Sequence, residues 1–283
     1  MANSITLAEK FVPVIDGIYK AASLTSALDA TTQPDFSGVN TVKVLKVATT
    51  GLGDYSRETG FPAGDVNVTW EVLKLAEERG KELSIDRMDD EETLGQAFGL
   101  AMSEFIRLHV APEVDAYRFA KYASAEGIGS AAAALTTGES VVTALRTAAV
   151  TMDEAEVPAE NRILYITPTL FGMVQDLDTT KSREVLKRFS SIVEVPQSRF
   201  YTGITLNSGA EAWGYAKAAD AKNINFLAIA KPSVLQATKM ALPKIFTPDE
   251  NQSKDAWKFQ YRLYHDAMVY ENKANGIYLH QGV

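Results

Sequence analysis

The chain has 283 residues, a formal net charge of −8, a hydrophobic share of 46% and no cysteine. That length suits one or two globular domains, and the missing thiols exclude disulfides, cysteine nucleophiles and thiolate-held metals. No apolar run reaches the ~18 residues of a membrane span, and the acidic balance has the wrong sign for a phosphate-binding surface.

The opening MANSITLAEK has no basic stretch followed by an apolar core, so no secretory signal is expected. Leu7, Phe11, Val14, Ile15, Ile18 and Ala22 recur at helical spacing, interrupted by Pro13. Residues 1–40 therefore form a terminal arm, which either docks on its own core or lies across a neighbouring copy. TVKVLKV at 41–47 reads as a strand, and Gly51–Gly64, with four glycines and Pro62, as an irregular loop. VNVTWEV alternates, with Val66, Val68, Trp70 and Val72 on one side and Asn67, Thr69 and Glu71 on the other; the phase slips at Leu73. EERGK at 77–81 reads as a turn and ELSID at 82–86 as a second strand, which predicts a hairpin of 66–72 with 82–86. A hairpin alone is marginal in water, so this one needs something to lie on.

MDDEETL at 88–94 starts a helix, capped by Asp89 or Asp90, with Glu91 and Glu92 favoured by the macrodipole. Leu94, Phe98, Met102, Phe105 and Leu108 make one apolar stripe, and Pro112 kinks or restarts the helix before it runs on to about Ala125. About 36 collinear residues at ~1.5 Å each span roughly 54 Å, so an elongated molecule is expected. Residues 128–140 read as a linker. Val141–Glu156 reads as a helix, RILYIT at 162–167 as a buried strand and TLFGMVQDL as a short helix. KSREVLKR at 181–188 is a solvated helix face, and SIVEVP and NFLAIA are further strands. Trp257, Phe259, Tyr261 and Leu263 alternate with polar residues, and GIYLH closes the chain. The fold class is α+β.

Catalytic patterns are not found. His109, His265 and His280 have no metal-ligand spacing, and His265-Asp266 forms half of a triad with no serine elbow to complete it. Gly51-Leu52-Gly53 is too common a pattern to mark a nucleotide loop. The carboxylates Asp86, Asp89, Asp90, Glu91 and Glu92 splay around a helix start, where capping explains them without acid–base chemistry. No catalytic residue, cofactor or metal is assigned.

The order of these parts carries a resemblance. KELSIDRMDDEETLGQAFGLAMSEFIRLHVAPEVDAYRFAKYA at 81–123 resembles the region of tailed-phage major capsid proteins where the extended loop runs into the spine helix. RILYITPTLFGMVQ and VEVPQSRFYT are similar to the axial domain of that family, and the segment 245–280 to its closing peripheral strands. The resemblance implies the Hong Kong 97-type fold. It divides the chain into an N-terminal arm at 1–40 and a strand with extended loop at 41–87. The tip of that loop is either Gly51–Gly64 or Glu77–Lys81. A peripheral domain with the spine helix follows at 88–134 and 241–283, and an axial domain at 135–240. Phe11, Ile15, Trp70, Glu77, Arg79, Lys81 and Arg87 are the candidate subunit contacts. Implied partners are further copies in hexamers and pentamers, a separate scaffolding protein and a portal, with no tight nucleic-acid binding and no membrane. The implied place is the virion capsid, assembled in the host cytoplasm. Some relatives join subunits through Lys–Asn bonds; Lys81 and Asn272 are present, but no reactive pair is assigned. Alternatives are an encapsulin-like shell around a protein cargo, a soluble enzyme using the 86–92 carboxylates, and another phage part such as a tail or decoration protein.

Overall fold

The runs RILYI and INFLAIA are apolar at every second residue on both faces, which suits strands covered from two sides. In the computed structural model they are β5 (Arg162–Ile166) and β9 (Ile224–Ala230). The structure describes residues 18–19, 21–29, 41–58, 60–92, 97–177 and 179–283. The two strands lie side by side in a five-stranded sheet with β4 (Gly129–Ala132), β6 (Ser191–Glu194) and β12 (Ile277–Gln281), in the order β4-β12-β9-β5-β6. Pairing Leu164 with Ala228 and Ile166 with Phe226 sends those side chains to one face. There they meet Val141, Leu145, Ala148 and Met152 of helix α4 (Gly138–Glu154). Ile163, Tyr165, Leu227 and Ile229 point the other way, onto Phe119, Tyr122, Phe200 and Leu28. Each such fully buried large side chain contributes about 1.5–3 kcal/mol.

Local chemistry sets the helix starts. The Thr137 hydroxyl accepts from the Ser140 N–H at 3.2 Å while the Ser140 hydroxyl accepts from the Thr137 N–H, a reciprocal cap that begins α4 three residues before the expected start. The short helices α5 (Pro168–Leu177) and α6 (Thr180–Leu186) follow, and Thr179 with Ser182 caps α6 in the same way. The expected linker at 128–140 is partly a strand: β4 pairs in parallel with β12 at the sheet edge. GSAA has low strand propensity, and the free edge of β12 overrides it.

The helix start before the spine is α1 (Arg87–Glu92). Its cap is Asp86, which accepts from the Met88 N–H at 3.0 Å, and neither Asp89 nor Asp90 occupies that position. The spine helix runs through α2 (Ala97–Phe105), one wide π turn at Ile106–Val110 and α3 (Ala111–Ala123). Pro112 has no N–H to give to a preceding carbonyl, and its ring crowds that carbonyl; the wider turn relieves both. The turn also shifts the buried face. Met102, Ile106, Val110 and Val114, four apart, pack on Phe259, Tyr261 and Leu263, and Leu108 is left 53% exposed although the sequence put it in the buried stripe.

Beneath the spine lies a three-stranded sheet of β10 (Val234–Phe246), β11 (Ala256–Val269) and β3 (Glu77–Asp86), with β11 in the middle. This corrects the predicted hairpin. β3 pairs with β11, from Ala256 opposite Asp86 to His265 opposite Glu77, and EERGK is strand where a turn was expected. Gly80 marks a close approach of backbones: a Cβ there would stand 3.1 Å from the Tyr261 carbonyl. The true hairpin is β1 (Thr41–Thr49) with β2 (Val66–Lys74), and its tip is the loop through Gly51–Gly64. A third, small pair is β7 (Ile204–Leu206) with β8 (Tyr215–Lys217).

Candidate assembly interface

The β1–β2 hairpin has two unlike faces. At its root Val42, Leu73 and Leu75 pack with Leu235 and Ala237 of β10. On the opposite face Leu45 lies across from Trp70, Val47 from Val68 and Thr49 from Val66, with Val72 following Trp70 on the same side. Leu45, Val47, Val66, Val68, Trp70 and Val72 are 50–67% exposed. A row of this length goes beyond the scattered apolar residues of a monomer surface. Covering the exposed half of six such side chains is worth roughly 5–9 kcal/mol before ordering costs.

Polar contacts hold the root. Lys46 Nζ meets Glu271 Oε2 at 2.8 Å, and Glu71 accepts from the Glu271 N–H at 3.3 Å. Glu271 also raises the Lys46 pKa through that hydrogen bond. Where the chain leaves the hairpin, Asp266 accepts from the Ala76 N–H at 3.0 Å and from the Tyr117 hydroxyl at 2.9 Å, which ties the exit of β2 to the spine helix. The Asp266 carboxylate therefore does not orient His265, and the pair is no half-triad. Burial pushes the His265 pKa down to about 3, helped by Arg118 and Arg79, so the imidazole is neutral. Among the described residues no group of three His, Cys, Asp or Glu is placed to hold a metal.

The N-terminal segment also meets its own body. The buried Asp115 carboxylate accepts from the Ser23 hydroxyl at 2.8 Å, the Thr25 hydroxyl at 2.7 Å, the Leu24 N–H at 2.9 Å and the Thr25 N–H at 3.2 Å. Arg118, equally buried, donates to the Thr25 hydroxyl at 2.8 Å and lies 3.5 Å from Asp29. Residues 21–29 are thus docked on the spine helix of the same chain, and residues 1–17, 20 and 30–40 of the expected arm lie outside the described residues.

The predicted contact residues fall in three places. Trp70 is in the exposed hairpin row. Glu77, Arg79 and Lys81 share one face of β3. There Arg79 is engaged within the chain: Nε meets Glu113 Oε1 at 2.7 Å and Nη1 donates to the Asn207 carbonyl at 2.8 Å. Lys81 Nζ sits 4.4 Å from the Trp213 ring centroid and 5.8 Å from that of Phe105. Arg87 lies at the start of α1, 3.7 Å from Asp249 and 3.9 Å from Asp255. Phe11 and Ile15 lie outside the described residues. Sequence reasoning missed Leu45 and Val47; the alternation of TVKVLKV was the available signal for both.

A body with packed cores thus carries an apolar hairpin face that none of the described residues covers. Solved structures with a similar fold include phage capsids and a virus-like particle. A capsid structure of the cyanophage P-SCSP1u matches with TM-score 0.61 at 16% identity, over 90% of this chain and 87% of that one. The capsid of Staphylococcus phage Andhra matches with TM-score 0.60 at 11% identity, over 90% and 83%. The virus-like particle from Pyrococcus furiosus matches with TM-score 0.60 at 12% identity, over 96% and 98%. The fold is the Hong Kong 97-type capsid fold. No protein-family model and no curated protein matches the chain by sequence. No helix among the described residues is long and apolar enough to cross a membrane.

Proposed function

We propose that this chain is the major capsid protein of a tailed phage, a subunit that tiles an icosahedral shell and catalyses no reaction. The observation that carries the reading is the bare row from Leu45 to Val72 on a chain with this fold. The row is covered by an adjacent copy, and many such contacts per shell act together. Copies meet through heterologous contacts that close by rotation into hexamers and pentamers. The arm at 1–40, the extended loop at 41–87, the peripheral domain at 88–134 and 241–283 and the axial domain at 135–240 divide the work. Strand β12 links the last two divisions, since it pairs with β9 inside the five-stranded sheet. A separate scaffolding protein and a portal complete the particle, whose place is the virion. The net charge of −8 suits a wall that does not trap nucleic acid.

The test is expression of the chain alone and with candidate scaffold, read by negative-stain microscopy. Closed shells are expected. Replacing residues 45–70 by a short Gly-Ser turn should leave folded subunits that no longer close; undiminished shells from that variant would remove the bracing role. A shell around a protein cargo is a second reading, for which the match to the Pyrococcus furiosus virus-like particle is weak support. Protein in place of nucleic acid inside purified native particles would select it.

A further inference from the structure

One tryptophan, in the turn between β7 and β8, is exposed and yet held. Trp213 is 64% exposed, but its ring lies on Gly209, where φ is +85 and a Cβ would stand 2.7 Å from the ring. The turn is closed on itself: the Gly209 N–H donates to the Ala212 carbonyl at 3.0 Å and Asn207 Nδ2 to the Trp213 carbonyl at 3.2 Å. Arg79 fastens the turn to the body. Its guanidinium donates to the Asn207 carbonyl at 2.8 Å and the Gly214 carbonyl at 3.4 Å while it meets Glu113 of the spine helix at 2.7 Å. An aromatic wall is therefore set in place before anything touches it.

That wall, the spine helix and β3 enclose a groove of about 450 Å³. Phe105 and Tyr261, edge to face with centroids 6.1 Å apart, line it together with Leu108, which is 53% exposed. Small-molecule pockets fall in the range of roughly 300–1,000 Å³ and are apolar with a few placed polar groups. The charge of the groove has one sign. Arg79 and Glu113 cancel as a pair. Lys81 Nζ lies 4.4 Å from the Trp213 ring centroid and 5.8 Å from that of Phe105, with no carboxylate partner among the described residues. Glu82, next in β3, points to the opposite sheet face, where Gln260 and Lys258 hold it. One unbalanced ammonium thus stands among aromatic walls, on a chain whose net charge is −8.

We infer that this groove binds a small planar aromatic monoanion, a carboxylate or sulfonate whose rings lie against Trp213, Phe105 and Tyr261 and whose head pairs with Lys81. The sign follows from Lys81: an aromatic cation would meet a like charge, and a neutral ring would leave the ammonium without a partner. The ring character follows from the walls, since aromatic side chains favour edge-to-face and offset contacts with other rings. The site lies within one copy and needs no second chain, so it stands apart from the shell reading.

Anilinonaphthalene sulfonate is the probe, and N-phenylnaphthylamine, the same ring system without the sulfonate, is its control. In the full-length chain, Trp70→Phe with Trp257→Phe leaves Trp213 as the one indole donor. Titration should show saturable binding of one sulfonate per chain, with energy transfer from Trp213. The neutral control should bind at least about tenfold more weakly, the weight of one charge-assisted contact. Lys81→Met should lower the sulfonate to the level of the control, and Lys81→Arg should restore it. Leu108→Glu, at an exposed position, should abolish uptake in a folded chain. Equal affinity for the two probes, or a Lys81→Met chain that keeps the sulfonate at wild-type affinity, overturns the proposal. So does transfer that disappears as the chain self-associates in sedimentation, because a second copy then fills the groove. Where Lys81→Met fails to fold, the comparison of the two probes on the wild-type groove decides alone.

Discussion

Asp115→Ala tests the proposition that the N-terminal segment belongs to the body of its own subunit. The carboxylate is fully buried and accepts four hydrogen bonds from Ser23, Leu24 and Thr25, with Arg199 Nη1 at 3.4 Å as its cationic neighbour. Truncation leaves two backbone N–H groups and two hydroxyls without an acceptor. It also strips a counter-charge from the buried surroundings of Arg118. Removing one partner from a buried charged network costs about 3–5 kcal/mol, a large share of the ~5–15 kcal/mol that holds a domain together. Part of that cost is avoidable, because the segment can detach and hydrate its donors. Two outcomes therefore accompany each other: chemical denaturation of the unassembled subunit shows a loss of roughly 2–4 kcal/mol, and amide exchange at Leu24 and Thr25 speeds up by more than tenfold. Asp115→Asn, which keeps one acceptor oxygen, falls between. A variant within 1 kcal/mol of wild type, with Leu24 and Thr25 still protected, would show that this network does not anchor the segment.

Val68→Asp places a charge in the middle of the bare hairpin row. Thermal unfolding of the free subunit should change by less than ~1 kcal/mol, as for surface substitutions generally, while light scattering shows assembly abolished; shells at wild-type yield would mean the row stays uncovered. His265 makes a pH prediction. Its folded pKa lies near 3, below the ordinary value of 6.5, so the unfolded chain binds the extra proton first. Its contribution is complete above pH ~6.5 and is lost as pH falls toward 3, by up to ~1.4 kcal/mol per unit. His265→Phe should flatten the fall in unfolding free energy between pH 6.5 and 5, measured by urea titration. His280, also shifted down by burial, keeps some slope in that variant; an unchanged slope would contradict a neutral His265.

Legibility in the sequence tracked how local each decision was. β5 and β9 announce themselves through unbroken apolar runs, and the side of β2 that carries Val66, Val68, Trp70 and Val72 is readable from a period of two. Alternation reports which residues share a face; it does not say who covers that face. Pairing failed for the same reason. β2 and β3 are separated only by Leu75 and Ala76, the spacing of a tight hairpin, but buried Leu75 and the Ala76–Asp266 bond send the chain across from one sheet to the other. The real partner of β3 is β11, with Glu77 opposite His265, about two-thirds of the chain length away, and no local pattern encodes it. Leu108 was lost to one hydrogen-bond choice: Pro112 was visible, but whether the helix would kink, restart or widen was not, and widening moves every later residue around the axis. The anchor at Asp115 was hidden because a lone acidic residue in a helix reads as solvated until its donors, ninety residues upstream, are seen. The hardest feature to read is therefore the one with functional weight. A face left apolar and open looks in sequence like any half-buried strand, and only the absence of a covering element among the described residues marks it as the surface proposed to meet another copy.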